Sequence, residues 1–99
     1  MSSYAVVWRK GNEEPPHAGE LELTEEAVRL SGGERGAETR LVLPYGEILG
    51  LERDSEMRIG RCRAITIFSR NAGELLIASV GGVGLLSEIF SALQQTLAS

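Results

Sequence analysis

LLSEIFSALQQTLA, residues 85–98, changes the rhythm of the chain. Leu86, Ile89, Phe90, Leu93 and Leu97 recur at intervals of three and four, with Ser87, Glu88, Ser91, Gln94 and Gln95 between them. On a helix that spacing gathers the apolar side chains into one stripe about four turns long. The stripe needs a surface to cover. Everything before it is patterned with a period of two, so that surface is a β-sheet.

Working back from the helix, ELLIASV (74–80) and RAITIFS (63–69) predict a hairpin around RNAG, where Asn71 and Gly73 suit positive φ. ILGLERD (48–54) and TRLVLP (39–44) predict two further strands, joined by the turn PYGE. Gly50 marks a bulge or bend by which the sheet curves. GELELT and AVRLS alternate cleanly through Leu21, Leu23, Val28 and Leu30, one dry face and one wet, with the turn at Thr24 to Glu26. YAVVWR (4–9) puts Tyr4, Val6 and Trp8 on one face. KGNEEPPHAG, GGERGAE and SEMRIGRC read as loops, the first enforced by Pro15 and Pro16. The fold class expected is mainly β: a roll or partly open barrel of about seven antiparallel strands capped by one C-terminal amphipathic helix, with residues 1–99 as a single domain.

Three motifs carry a resemblance. GELELTEEAVRLSG looks like the opening hairpin of GRAM-type and bacterial PH-like domains. RLVLPYGEILGLERD is similar to their strand–proline–turn–isoleucine–strand segment, and AITIFSRNAGELLIASV to their late hairpin. From Gly19 to Leu93 the chain therefore resembles a PH-like domain of the GRAM or bacterial PH-like type, with YAVVWR as an extra first strand. The resemblance implies the roll with its closing helix. It does not carry over the phosphoinositide clamp of lipid-binding members, because KGNEEPPHAG and TEEA hold Glu13, Glu14, Glu25 and Glu26 where a phosphate needs cations.

Composition narrows the function. The apolar fraction of 42% suits a folded globule, and no apolar run approaches the roughly 20 residues of a membrane span. Cys62 is the only cysteine, and MSSYAVVWRKGNEE has no secretion-signal pattern, so a reduced, cytoplasmic setting is expected. A net charge of −4 disfavours nucleic acid as a partner. The charge is uneven: residues 1–56 hold twelve acids against six bases, whereas residues 57–73 hold Arg58, Arg61, Arg63 and Arg70 with no acid.

No catalytic, metal or cofactor constellation emerges. His17 stands alone in a predicted loop, too little for a zinc site, and Cys62 reads as a core or half-buried structural thiol. SVGGVG lacks the lysine and hydroxyl of a P-loop and reads as a strand-to-helix turn. The glutamates are scattered, and no serine sits in a nucleophile elbow, so an enzyme is not expected. Two features remain. RIGRCR offers Arg58, Arg61 and Arg63 as an anion or partner site, with Ile59 expected to be exposed between them. The strands also carry apolar residues on both faces, which marks Val42, Leu49, Leu51, Phe68 and Leu76 as an interface for another protein or a second copy. The reading that follows is a non-enzymatic, protein-binding and self-associating module. Peripheral membrane or anionic-ligand binding through residues 58–63 is its alternative, and a small-molecule carrier a third.

Overall fold

The structure, a computed structural model, describes residues 2–11, 16–33, 39–53, 58–71, 73–81 and 83–98. The alternating segments fold as strands: β1 (Ser2–Lys10), β2 (His17–Leu23), β3 (Ala27–Gly32), β4 (Thr39–Pro44), β5 (Ile48–Glu52), β6 (Arg58–Ile59), β7 (Cys62–Ser69) and β8 (Gly73–Ser79). The stripe at the end forms helix α1 (Val83–Ala98). Seven strands make one curled antiparallel sheet in the order β4-β3-β2-β1-β8-β7-β5, a half-barrel whose two edges are β4 and β5. The two-residue β6 pairs only with β7 and stands outside that order.

Alternation sorts the side chains into an inner and an outer face. Val6, Trp8, Leu21, Leu30, Leu43, Ile65, Ile67, Leu75 and Ile77 fill the interior. Leu86, Ile89 and Leu93 of α1 enter the same cluster, so the helix stripe closes the concave side. Full burial of one such aliphatic side chain contributes roughly 1.5–3 kcal/mol, so these three residues are anchors of the helix on the sheet. Arg53 pins it further. Its guanidinium donates to Ser87 Oγ at 2.7 Å and lies 5.9 Å from the centre of the Phe90 ring, tying the end of β5 to the helix.

At one end of the roll, β2 and β3 meet through Gly19 and Gly32. A Cβ on Gly19 would overlap the Ser31 carbonyl oxygen, so only glycine lets these backbones come so close. Trp8 reaches into that space, and its indole N–H donates to Ser31 O at 3.0 Å. His17 is half-buried as the first residue of β2, its ring 4.6 Å from that of Trp8. The loop position expected for it is therefore wrong: pairing with Trp8 across β1 and β2 draws it into the strand.

Two turns follow the residue chemistry. Thr24 Oγ1 accepts from Ala27 N at 3.0 Å and donates to Ala27 O at 2.9 Å, closing the β2–β3 hairpin through one hydroxyl. Among the described residues of the β7–β8 turn, Gly73 has positive φ and Asn71 does not. The ladder between β5 and β7 slips between Ile48 and Gly50, the bulge expected beside Gly50.

Candidate functional site

Two surfaces come forward, and they lie on different elements. The first is the corner where the sheet stays open. β4 and β5 are its two edges, yet only the short 3-10 turn Tyr45–Glu47 separates them in sequence. That turn is fastened on both sides. Tyr45 N–H donates to Glu26 O at 3.2 Å, and Tyr45 Oη donates to Thr24 O at 2.6 Å, which binds it to the β2–β3 hairpin. Glu47 accepts from Arg70 N through its carbonyl at 2.9 Å and from Asn71 Nδ2 through its carboxylate at 2.6 Å, which binds it to the β7–β8 turn. Burial raises the Tyr45 phenol above its ordinary value of 10.0, because the phenolate would lose solvation.

On either side of this fixed corner stand Val42, 54% exposed, and Leu49, 64% exposed. Val42 points outward from β4, opposite in alternation to the buried Leu43. Leu49 is the extra residue of the bulge. Because the bulge shifts the phase, Leu51 pairs with Ile67 and packs against the core instead of sharing the exposed face with Leu49. Phe68 is half-buried over Gly50. Leu76 is only 4% exposed. Of the five residues expected at an interface, Val42 and Leu49 are thus the two that present a largely open side chain.

The reason Leu76 is covered lies in the second surface. The segment 55–62, expected to be a loop, folds over residues 58–62 into a hairpin arm: Arg58 pairs with Arg63 and Ile59 with Cys62. Gly60, at φ 61°, takes the first of the two turn positions. Ile59, expected to be exposed, is 6% exposed and packs with Ala64, Leu76 and Ala78, with Val7 alongside, in a small second core on the convex face. Cys62, expected in or near the core, is exposed at the arm instead. Arg58, Arg61 and Arg63 are all exposed, and no hydrogen bond or ion pair joins them to any described residue.

Among the described residues no three His, Cys, Asp or Glu side chains are placed to hold a metal ion. Nor is any helix long and apolar enough to cross a membrane. Two hollows lined by described residues open to solvent on the outside of the sheet. One, of about 360 Å³, lies over β2–β4 between Glu20, Glu22, Arg29 and Arg40; the other, of about 510 Å³, lies beside the Thr24 turn.

Sequence reasoning missed Val80, 63% exposed, and Leu85, 38% exposed, which flank the turn into α1. Extending the outward alternation of Leu76 and Ala78 by one step would have found Val80.

No family model and no curated protein matches this sequence. Among solved structures, the chain is similar to the C-terminal domain of an unknown protein from Leishmania infantum, with a TM-score of 0.74 at 15% identity over 100% of this chain and 84% of that one. The likeness is one of fold: a mainly β half-barrel closed by a C-terminal helix.

Proposed function

We propose that the chain is a non-enzymatic, cytoplasmic PH-like interaction module, GRAM-like in style, which binds another protein at the open corner between β4 and β5 and self-associates there. The observation that carries the reading is the exposure of Val42 and Leu49 on two sheet edges that no described strand pairs, joined by one pinned turn. An unpaired edge offers backbone donors and acceptors to an incoming strand, and neighbouring aliphatic side chains add apolar contact. The pinned corner holds both edges still, which lowers the entropy lost on binding. The motifs from Gly19 to Leu93, together with the strand order and closing helix, support the PH-like assignment. The acidic first-hairpin turn, with Glu25 and Glu26, supports a protein rather than a phosphoinositide at the usual lipid site.

Light scattering after size exclusion, over a wide concentration range, tests self-association. Mass should rise with concentration in the unaltered protein and stay monomeric in Val42→Asp and Leu49→Asp. Both variants should melt where the parent does, since each side chain is more than half exposed. A parent that remains monomeric throughout, and retains nothing from its own cell extract that either variant releases, sinks the reading.

A further inference from the structure

We infer that the β6–β7 arm is a phosphate-monoester site, separate from the corner, in which Arg58 and Arg63 clamp the group and Arg61 closes over it. The two guanidinium-bearing residues sit directly opposite one another on the ladder. Like charges at such cross-strand positions, with Cβ atoms about 5 Å apart, disfavour the pairing. The arm forms nevertheless, because Ile59 is seated on Ala64, Leu76 and Ala78 and Gly60 makes the tight turn. The arginines are therefore held together by apolar burial on the other face of the same hairpin, before any ligand arrives.

No carboxylate among the described residues neutralises them; Asp54 and Glu56, the nearest acids along the chain, lie outside those residues. The ligand class follows from stoichiometry. One carboxylate has two oxygens and satisfies a single guanidinium fork. A phosphate monoester has three terminal oxygens and a charge of about −1.5 to −2 at neutral pH, so it can accept both forks and leave an edge for a third cation. Free phosphate and a monoester lipid headgroup share that chemistry.

The test uses the intact protein with two probes. Inorganic phosphate is titrated by NMR of the arginine side chains, and vesicles of phosphatidylcholine with or without phosphatidic acid are assayed by sedimentation. Binding to either probe is expected, at least tenfold weaker in Arg58→Ala/Arg63→Ala and also weakened in Arg58→Lys/Arg63→Lys, which keeps the charge and loses the forks. Phosphate alone bound identifies a soluble ligand; vesicles bound as well identify a headgroup. The alanine variant should melt no lower than the parent, since it removes a like-charge pair. Two results overturn the inference: neither probe bound, or phosphatidylserine vesicles bound as well as phosphatidic acid.

Discussion

Gly19→Ala should unfold this protein more readily than any other single-methyl addition among its described glycines that lack positive φ. The new Cβ would meet the Ser31 carbonyl and the Gly32 Cα, both backbone atoms, so no flexible side chain can step aside. β2 and β3 must therefore part where Gly33 N donates to Ala18 O at 3.3 Å and Trp8 Nε1 to Ser31 O at 3.0 Å. Overpacking of this kind costs about 1–3 kcal/mol. Losing the indole hydrogen bond adds about 0.5–1.5 kcal/mol. Restricting the unfolded chain returns about 0.4–1 kcal/mol. The terms span about 0.5–4 kcal/mol and centre near 2 kcal/mol, which for a domain of this size is a fall in Tm of roughly 8–16 °C.

Urea unfolding followed by fluorescence of the single tryptophan measures it, with far-UV circular dichroism as a second probe because the change adjoins Trp8. Gly46→Ala is the control. It lies in the corner turn, has no positive φ, and a Cβ there meets nothing within 4 Å. It should be neutral or gain up to about 1 kcal/mol. If Gly19→Ala stays within about 0.5 kcal/mol of the parent, or Gly46→Ala loses as much as it does, the close approach of β2 and β3 is not what shapes this end of the roll.

Two further substitutions probe polar groups taken out of water. Thr66 is fully buried and its Oγ1 has no hydrogen-bond partner among the described residues, so Thr66→Val should stabilise by about 1 kcal/mol in the same urea assay; a loss of stability would mean that the hydroxyl is bonded after all. Tyr45→Phe removes the donor to Thr24 O and should cost about 1 kcal/mol at pH 8. The folded phenol titrates above 10.0, so between the unfolded and folded values the native state holds a proton the unfolded chain has shed. Stability from this group is complete below pH 10 and is lost as pH rises through the folded value. The parent's advantage over Tyr45→Phe should therefore shrink above pH 10, and a gap that widens there contradicts the burial of the phenol.

Long, regular elements were legible because their period repeats. The stripe from Leu86 to Leu97, the alternation in β2, β3, β7 and β8, and the bulge beside Gly50 all follow from residues that fit one geometry and no other. Short or interrupted ones were not. β6 is two residues long and has no period to read, so Ile59, an apolar residue in a polar run, looked exposed. A bulge inserts one residue and inverts every face after it, which is why Leu51 turns inward while Leu49 does not. His17 follows a proline in sequence, and only its cross-strand partner Trp8 shows that it belongs to a strand.

The apolar surplus of the late hairpin has a different owner from the one its sequence suggests. A strand pair with aliphatic residues on both faces can be covered by a partner or by its own chain, and β7 and β8 take the second course. Ile59 arrives from the arm and completes the convex side over Ala64, Leu76 and Ala78. Period-two geometry then sets where the charge goes: with Ile59 turned into the sheet, Arg58 must face away from it, and Arg63 sits opposite Arg58. Burying one isoleucine and displaying two arginines are thus one event in the folding of a single hairpin. Apart from Val80 and Leu85 at the turn into α1, what is left without cover is the corner, where Val42 and Leu49 stand on edges that no segment of the described chain pairs. The two surfaces therefore differ in kind, one a charge cluster held by internal packing and the other an apolar edge left open, and they call for different ligands.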